Sequence, residues 1–572
     1  MSFFTKFSPI KGFRKNLFQR ARPRSRHASS QAGTVSRSSL LWLIAVPPLI
    51  VGIENYFGGK YYERNNNETK RLRKRIAELE AGSKIEYASP AHMLNVAMFL
   101  RDSLGEDSVS FEEDVIEHHG HSEWSTSNTK ERPVAVVYPR STEDVIKIAQ
   151  TCNQHNVPLV PFGAGSSVEG NFSSPYSGIC VDFTYMDQIV AFHPEDMDVV
   201  VQPGVNWFDL NNKIAHSGLF APLDPSPTAQ IGGMVSTNCS GTNAMRYGTM
   251  KDWVVNLTVV LADGSVIKTR RRPRKTSAGY NLTSLFVGAE GTLGMVTEVT
   301  LKLAPIPQDT SVAVVSFETI REAASAAQSL IRSGMQLAAL EMMDDVQMQV
   351  LNKHGSAAVR KRTWEEKPTL FLKFSGTPSS IKSDISRTQD LLAQHNAQTL
   401  HFAESKQEES TLWSARKEAL FTMVSTRAPG TEIWSTDVAV PLSRLADIID
   451  MTKTDCAGLG LFASVVGHVG DGNFHTAMFY DPTKAEQKAA VERVVHEMMG
   501  RALEMEGTVS GEHAIGIGKK ECLVDELGEG TIGVMRKLKR ALDPKWVMNP
   551  GKVFDLSGEE KVEVRRQEGL KD

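Results

Sequence analysis

Two short passages in the C-terminal half bring histidines and a carboxylate together in a pattern that suits metal chemistry. The first runs His468-Val-Gly-Asp-Gly-Asn-Phe-His475, and Glu512 and His513 follow 37 residues after its end. β-type patterns on both sides place the two histidines of the first passage on opposite arms of a hairpin, where they can converge. Two imidazoles and a carboxylate with open coordination positions suit Zn²⁺ or Mn²⁺ in a catalytic site. Each histidine alone is more often a turn residue, so the hypothesis depends on the whole set.

Three glycine-rich clusters in the preceding part of the chain suggest a phosphate-containing ligand. The first spans 161–167 and follows a predicted strand, and the others span 230–248 and 288–297. Glycine lets backbone N–H groups approach a phosphate, and neighbouring serine hydroxyls add donors. The first loop lacks the GK[ST] of a Walker A motif and the spacing of the Rossmann fingerprint, so neither of those folds is indicated.

The elements that position these clusters alternate between helix and strand. Ser141 begins a helix with apolar residues at i, i+3, i+4 and i+7 spacing, and 157–161 is a short buried strand. A hairpin is predicted over 254–269, and a strand ends at Pro305. Beyond it, strands, including one over 431–440, alternate with long amphipathic helices. This pattern indicates an α+β layer with helices on one face of a mostly antiparallel sheet.

The three glycine clusters together resemble the FAD-binding domain of the vanillyl-alcohol oxidase and p-cresol methylhydroxylase flavoproteins, over about 130–306. The resemblance implies a two-subdomain flavin-binding domain followed by an α+β substrate domain with an antiparallel sheet. It also implies FAD contacts from these residues: Pro161, Gly163, Ala164, Gly165, Ser166, Ser167, Pro225, Gly232, Gly233, Asn238, Gly241, Glu290, Gly291 and Val296. No histidine occurs in 160–180 or 225–250, so we expect FAD to be bound noncovalently. Asn549 resembles a family element that returns to the flavin, although a plain turn explains it equally well.

The histidine passages resemble the C-terminal domain of the FAD-dependent D-2-hydroxy acid dehydrogenases. By position, the resemblance makes His468, His475 and Glu512 the ligands of a divalent metal, Zn²⁺ or Mn²⁺. It makes His513 the general base, a role that suits an imidazole with a near-neutral pKa. It also makes Arg416 the partner of the substrate carboxylate, because a guanidinium fork fits a carboxylate bidentately.

Two departures from the family pattern bear on the substrate. Members that act on 2-hydroxyglutarate carry a lysine where this chain has Ser435, and an asparagine where it has Ala477. Both changes remove a partner for a second carboxylate and indicate a monocarboxylate. Together with the resemblance, over about 90–555, this implies that D-lactate is oxidised to pyruvate with cytochrome c as electron acceptor. Two alternatives are a D-2-hydroxyglutarate dehydrogenase and, from another enzyme class, an FAD-dependent alkylglycerone-phosphate synthase.

Charge and hydropathy change sharply near the N-terminus. Residues 1–53 carry nine Lys or Arg and no acid, and the other 519 residues sum to −12. A basic, serine-containing, acid-free leader is typical of a mitochondrial transit peptide, although a basic tail that contacts nucleic acid has the same composition. An unbroken apolar run of 14 residues over 40–53 is short for a spanning helix and contains Pro47 and Pro48. We favour a stop-transfer element in the inner mitochondrial membrane over a cleaved signal.

Composition excludes several protein classes and completes the domain plan. The 41% hydrophobic and 23% charged residues are globular values, and five scattered cysteines without a CxxC pair give no support to a disulfide framework or an iron–sulfur cluster. The predicted plan is a leader (1–39), an apolar segment (40–57), a charged spacer with helices (58–129), an FAD domain (130–306), a substrate and metal domain (307–555) and a charged tail (556–572). We expect the catalytic part to face the intermembrane space, and no nucleic-acid partner.

Overall fold

The computed structural model describes residues 85–556 and the backbone of one further strand, Glu563–Val564. The predicted leader, the apolar segment over 40–57, the first part of the spacer and most of the tail therefore lie outside the described residues. Within the described part, no helix combines the length and the apolar character needed to span a bilayer.

The first part of the described chain forms two main sheets and a further two-stranded pair. Its strands are β1 (Glu86–Tyr87), β2 (Val109–Ser110), β3 (Ala135–Val137), β4 (Leu159–Phe162), β5 (Ile179–Asp182), β6 (Ile189–His193), β7 (Asp198–Val201), β8 (Leu219–Phe220), β9 (Val254–Val260), β10 (Val266–Lys268), β11 (Met295–Lys302) and β12 (Ala304–Pro305). Its helices are α1 (Pro90–Leu104), α2 (Glu113–Gly120), α3 (Thr142–His155), α4 (Trp207–Ile214), α5 (Ile231–Thr237), α6 (Ala244–Tyr247), α7 (Met250–Trp253) and α8 (Leu282–Phe286).

Two separate sheets account for the predicted two-subdomain organisation. One has the order β2-β3-β5-β4, with β3, β5 and β4 parallel, and the other has the antiparallel order β10-β9-β11-β7-β6. Helix α3 begins where the sequence predicts, because the Ser141 side chain accepts a hydrogen bond from the Asp144 amide. Its four periodic apolar residues are all buried, and the predicted hairpin forms between β9 and β10.

The second part of the described chain forms a domain around one large sheet. Its strands are β13 (Asp309–Ser316), β14 (Leu337–Met343), β15 (Thr369–Gly376), β16 (Thr399–Phe402), β17 (Glu432–Ser435), β18 (Val438–Ala439), β19 (Ala463–His468) and β20 (Asn473–Tyr480), and β21 (Glu563–Val564) pairs with β1. Its helices are α9 (Ile320–Arg332), α10 (Asp345–His354), α11 (Pro378–Leu392), α12 (Lys406–Lys417), α13 (Ala419–Val424), α14 (Leu445–Gly458), α15 (Ala485–Glu504) and α16 (Lys520–Leu542).

The eight-stranded sheet of this domain is antiparallel throughout, with the order β16-β13-β15-β14-β19-β20-β17 and β18 beside β20. Helices α9, α11, α14 and α15 pack on one face. The expectation of helices on one face only is wrong, since α10, α12 and α13 cover part of the other face around Trp364 and Phe371. The strands are apolar on both sides, which matches two covered faces.

The strand predicted over 431–440 is interrupted. It divides into β17 and β18, and Thr436 and Asp437 lie between them. The Thr436 hydroxyl accepts a hydrogen bond from the Thr476 amide, and the Asp437 carboxylate accepts from several donors of a neighbouring loop. Side-chain hydrogen bonds thus replace part of the strand ladder at this point.

Candidate active site

Two groups of predicted residues meet in one cavity of about 580 Å³. Every residue predicted to contact the cofactor lines it except Asn238, and so do the predicted metal ligands and catalytic residues His468, His475, Glu512, His513 and Arg416. The cavity therefore lies between the glycine clusters of the first domain and the sheet of the second. Concave sites of this size suit a cofactor together with a small ligand.

Asn238 has a different position from the one predicted. It ends α5 with a φ of 50°, and its Oδ1 accepts hydrogen bonds from the Lys251 amide and the Thr249 hydroxyl. The side chain therefore holds two neighbouring turns together and does not line the cavity. Asparagine tolerates this left-handed backbone, which explains its presence at a helix end.

The backbone around α5 fits a bulky ligand lying against it. A Cβ on Gly232 would come within 2.6 Å of Pro203 Cβ, whereas a Cβ on Gly233 would meet nothing within 4 Å. Gly232 is thus required by packing, and Gly233 leaves open space on the cavity wall. The buried Oε1 of Gln230, also on this wall, has no hydrogen-bond partner among the described residues. Buried polar atoms are usually paired, so this one suits a donor from a bound group.

The predicted metal ligands converge as the hairpin pattern suggested. His468 ends β19, and His475 lies on β20, with their rings 5.5 Å apart between centroids. Glu512 Oε1 lies 3.1 Å from His468 Nε2 and 3.3 Å from His475 Nε2. The donor atoms of all three side chains fall within 4.8 Å of one another, a separation that one metal ion can bridge.

Both imidazoles are oriented so that Nε2 faces Glu512. His475 Nδ1 lies 2.9 Å from the Thr436 carbonyl oxygen, which can only accept, so Nδ1 is the donor. His468 Nδ1 lies 2.9 Å from Glu341 Oε1 in the same way. Metal-ligating histidines commonly donate their other ring nitrogen to a carbonyl or a carboxylate. The arrangement therefore fits a divalent cation held by the two Nε2 atoms and Glu512.

The charges at this point favour a cation. Burial lowers the pKa of His468, but Glu341 and Glu512 outweigh burial and raise this pKa well above its usual value. Burial raises the pKa of Glu512, but His468 and His475 reverse that effect and hold it well below its usual value. Buried carboxylates thus stabilise positive charge here, whether a proton or a metal ion supplies it.

Glu512 also connects the two domains. Its second oxygen, Oε2, accepts a hydrogen bond from the Ser240 hydroxyl at 2.5 Å and another from the Gly241 amide at 3.0 Å. Gly241 was predicted to contact the cofactor, and in the structure its N–H also holds this carboxylate. The second glycine cluster thus fixes the orientation of the acidic ligand of the candidate metal site.

Glu341 is a site residue that the sequence interpretation missed. It lies on β14, is 1% exposed, and receives two hydrogen bonds from Arg416, at 3.0 Å from Nε and 2.7 Å from Nη2, besides the one from His468. One buried carboxylate therefore positions both the predicted carboxylate-binding arginine and a predicted metal ligand. A single charged residue in the otherwise apolar strand LAALEMM was the signal that could have found it.

Asp437 is a second missed residue. It is fully buried, and its Oδ2 accepts hydrogen bonds from the backbone amides of Glu512 and His513, at 2.9 and 2.8 Å. Burial raises its pKa, but His513, Lys519 and His475 outweigh burial and hold the pKa far below its usual value. Since its oxygens are occupied by protein donors, Asp437 shapes the loop that carries Glu512 and His513 and is poorly placed as a metal ligand.

His513 is held so that its ring remains neutral. Its ring stacks on that of His475 at 4.9 Å, and Nδ1 has no hydrogen-bond partner among the described residues. Burial lowers the pKa of His513 to about 4, and the neighbouring His475 adds to this effect while Asp437 opposes it. His513 lines the cavity, and a neutral imidazole there can accept a proton.

Glu290 and Asn549 join the third glycine cluster to the loop after His513. Both oxygens of Glu290 accept backbone N–H groups, from Ile515 at 2.8 Å and from Gly516 at 2.9 Å. Asn549 Nδ2 donates to the Glu290 carbonyl oxygen at 2.6 Å, and Asn549 lines the cavity. The carboxylate of Glu290 is thus used within the protein, and Asn549 is part of the site and not a plain turn.

The wall opposite the glycine clusters contains the two residues predicted to exclude a second carboxylate. Ser435 and Ala477 are cross-strand partners on β17 and β20, and both line the cavity. Among the described residues that line the cavity, the one lysine is Lys417, and its side chain is exposed. The wall at Ser435 and Ala477 therefore offers a hydroxyl and a methyl group and no charge.

Two family models match the chain. The model of the FAD binding domain matches residues 133–270, and that of the FAD linked oxidases, C-terminal domain, matches residues 306–553. The first two glycine clusters fall within the first match, and Arg416, His468, His475, Glu512 and His513 fall within the second. The matches show that the chain is an FAD-binding protein.

Sequence relatives and solved structures agree with these matches. The chain is 44% identical to the mitochondrial D-lactate dehydrogenase (cytochrome) of Kluyveromyces lactis over 84% of each chain. It is 43% identical to the corresponding protein of Arabidopsis thaliana over 78% of each chain. A structure of p-cresol methylhydroxylase with substrate bound superposes with a TM-score of 0.66 at 18% identity, covering 82% of this chain and 99% of the other. That last similarity shows a shared fold.

Proposed function

Since the chain belongs to the FAD-linked oxidase family, among the mitochondrial D-lactate dehydrogenases (cytochrome), we propose that it oxidises D-lactate to pyruvate and reduces cytochrome c. One observation carries the proposal: the glycine clusters, the arginine, and the histidine–glutamate cluster all line one cavity. The reaction needs a hydride acceptor, a base and a carboxylate partner at one place, and this cavity brings together the residues for all three.

The proposed roles follow from the contacts of each side chain. Arg416, held on Glu341, binds the substrate carboxylate and orients C2. His513, which lines the cavity and is neutral, takes the hydroxyl proton. When bound, FAD supplies the acceptor for the hydride that leaves C2. The products are then pyruvate, reduced flavin and a protonated His513.

The electrons removed from D-lactate are then proposed to pass one at a time to cytochrome c. The net charge of −12 outside residues 1–53 suits a basic electron acceptor, since complementary charge accelerates encounter. The relatives carry the word cytochrome in their names. Reduction rates that fall with rising salt concentration would support this step, whereas salt-independent rates would contradict the role of charge.

An anaerobic titration with D-lactate tests the reaction itself. Stepwise additions should bleach the flavin absorbance, and oxidised cytochrome c should restore it. A flavin that stays oxidised in excess D-lactate would contradict the proposal. It would instead favour the transferase alternative, the alkylglycerone-phosphate synthase, which uses FAD without net oxidation.

Specificity for a monocarboxylate is proposed from Ser435 and Ala477. A second carboxylate placed against this wall would lose water without gaining a charged partner, at a cost on the order of several kcal/mol. We therefore expect D-lactate to have a much larger kcat/KM than D-2-hydroxyglutarate. Comparable values for the two substrates would contradict this and favour the D-2-hydroxyglutarate dehydrogenase alternative.

A divalent metal, Zn²⁺ or Mn²⁺, is proposed at His468, His475 and Glu512. It would supply a Lewis acid that polarises the substrate hydroxyl and so eases loss of its proton. Replacement of His475 by Ala should lower metal content and turnover together while the flavin spectrum is retained. Wild-type protein that is metal-free and fully active would contradict the site.

Noncovalent attachment of FAD is proposed from the residues around the cleft. Within the described part of the chain, the histidines that line the cavity are His468, His475 and His513, all of which belong to the cluster. The lining thiol, Cys239, is buried, and burial raises its pKa well above the usual value, so its nucleophilic form is suppressed. Acid precipitation should leave yellow flavin in the supernatant, and colour in the protein pellet would contradict dissociable binding.

An inner mitochondrial membrane location, with the catalytic part in the intermembrane space, is proposed from the N-terminal sequence. The leader and the apolar run support it, and so do the mitochondrial names of the relatives. Protease added to mitochondria with ruptured outer membranes should degrade the catalytic part. Protection under these conditions would place that part in the matrix.

A further inference from the structure

A strongly basic loop lies outside the walls of the cavity. Between positions 264 and 289 the chain has six Lys or Arg and no acid. Most of these cations lie in the loop that connects β10 to α8, and every residue from 273 to 282 is exposed. The chain beyond residue 53 has a net negative charge, whereas this loop has a net positive charge.

Two of its arginines brace the loop against the body of the domain. Arg272 pairs with Asp196 at 2.7 Å and with Asp198 at 2.9 Å. Arg274 donates to the backbone carbonyl oxygens of Asp196 and Met197, at 3.2 and 3.3 Å. The loop is therefore presented in a defined position by bonds on its inner side.

Apart from Arg272, the cations of the loop have no carboxylate partners among the described residues. Among the described residues, none of these five makes an ion pair: Lys268, Arg270, Arg271, Arg274 and Lys275. Lys302 lies beside them. Burial lowers its pKa, Arg274 and Arg270 lower it further, and Asp252 opposes them. The loop and its surroundings therefore carry more positive charge than Asp196, Asp198 and Asp252 offset, an arrangement that favours an external anionic partner.

Apolar and aromatic side chains accompany the charges. Tyr280 is 93% exposed at the far end of the loop, and Val266 and Leu282 at its two ends are 44% and 38% exposed. An exposed tyrosine among lysines and arginines is the composition that binds at a membrane interface, where the ring lies at the level of the lipid headgroups.

We infer that the loop over 268–282 is a contact surface for an anionic phospholipid bilayer, with Tyr280 at headgroup depth. The inference rests on the proposed membrane location. It adds which surface of the catalytic part contacts the membrane. Charge separation supports this orientation, because a basic face on the bilayer leaves the acidic remainder of the surface to a basic electron acceptor. No residue of the loop lines the cavity of the candidate active site.

Site-specific fluorescence on the full chain tests the surface. All five native cysteines are buried, so a cysteine introduced by Tyr280→Cys can be labelled selectively, and Ala489→Cys, at an exposed position on α15, is the matched control. Vesicles of phosphatidylcholine, with or without phosphatidylglycerol, carry a nitroxide headgroup quencher. We expect quenching at position 280 only with the anionic lipid, at least about fivefold stronger than at position 489.

Charge reversal sharpens the test. The pair Arg271→Glu and Lys275→Glu should abolish quenching at position 280, as should high salt. D-Lactate oxidation with a soluble dye should change by less than about twofold, because neither residue lines the cavity.

Three outcomes would overturn the inference in distinguishable ways. Chain that sediments with the vesicles while the label at 280 stays unquenched would refute the surface and leave the membrane location standing. Chain that stays in the supernatant with both lipids would refute the location as well. Shielding of the label that rises with protein concentration, without vesicles, would assign the loop to self-association instead.

Discussion

The cavity has two walls that are built in opposite ways. On the flavin side, much of the lining comes from three contiguous glycine-rich segments, 161–167, 230–241 and 288–296. On the substrate side, charged side chains come from separate elements. Glu341 lies on β14, Arg416 on α12, and His468 and His475 on a hairpin. The flavin side thus depends on glycine-rich backbone, and the substrate side depends on a network of buried charged side chains.

This difference predicts how each wall responds to substitution. Loss of one buried charge leaves its partners unpaired, so effects in the network are large and spread to neighbouring groups. A methyl group added to a glycine acts only where the backbone already touches something. The four experiments below test that contrast.

The largest effect is expected at His513. Replacement by Ala removes the proposed base and should lower kcat by a factor of about 10²–10⁴. The flavin spectrum should remain, because the ring belongs to the substrate wall. Stopped-flow measurement of flavin bleaching by D-lactate checks this, with exposed His496→Ala as control. A near-normal rate in the His513 variant would move the role of base to another group.

The next effect tests whether the network acts as a unit. Glu341→Gln keeps the shape but removes the charge that holds Arg416 and His468, and should weaken metal affinity and kcat/KM by about 10–100-fold. Metal content under chelator competition and the KM for D-lactate should both change.

The matched control for Glu341→Gln is Asp344→Asn, three residues further along the chain. Asp344 is fully buried and pairs with Lys453, but it does not line the cavity. This variant should lower the free energy of unfolding by about 1–3 kcal/mol, since Asp344 is buried but Lys453 is partly exposed and keeps Asp345 as a partner, with metal affinity unchanged. Equal loss of metal in both variants would mean that Glu341 acts through general stability only.

Two adjacent glycines test the backbone wall. Gly232→Ala places a methyl 2.6 Å from Pro203 Cβ and should destabilise the apoprotein by about 1–3 kcal/mol. Gly233→Ala meets no protein atom, so the apoprotein should melt at the same or a slightly higher temperature. Its methyl faces the cleft, and FAD affinity should fall. Unchanged FAD affinity in Gly233→Ala would show that the cofactor does not approach this part of the wall.

The smallest effect concerns pH. The fold lowers the pKa of His513 to about 4, so the neutral ring persists well below the ordinary value of about 6.5. Its contribution to stability is present above pH 6.5 and is lost as the pH falls toward 4. Between pH 7.5 and 5.5, kcat/KM should therefore fall by less than about twofold. A tenfold fall over this range would indicate a base with an ordinary imidazole pKa.

Much of the flavin wall could be predicted because its information is local. The clusters at 161–167 and 288–296 are contiguous, and their glycines restrict the backbone wherever the rest of the chain lies. The exception, Asn238, is instructive. Its neighbours line the cavity, but its side chain turns back to Thr249 and Lys251, and spacing alone did not indicate that direction.

The substrate wall could be predicted only in part. The hairpin that carries His468 and His475 followed from strand alternation, and their convergence is confirmed. The roles of Glu341 and Asp437 did not follow. Asp437 was placed inside a continuous strand, whereas the structure breaks that strand so that its carboxylate can accept the amides of Glu512 and His513.

The sequence by itself determined the glycine loops, the histidine hairpin and the two-domain order, because each depends on residues close together in the chain. Only the tertiary structure decided which charges share a partner. Glu341 and Arg416 are 75 residues apart, and Glu341 and His468 are 127 apart. The spacing of residues along the sequence does not indicate such pairs. A charge removed from water requires a partner, and only the fold determines which residue lies close enough to be that partner.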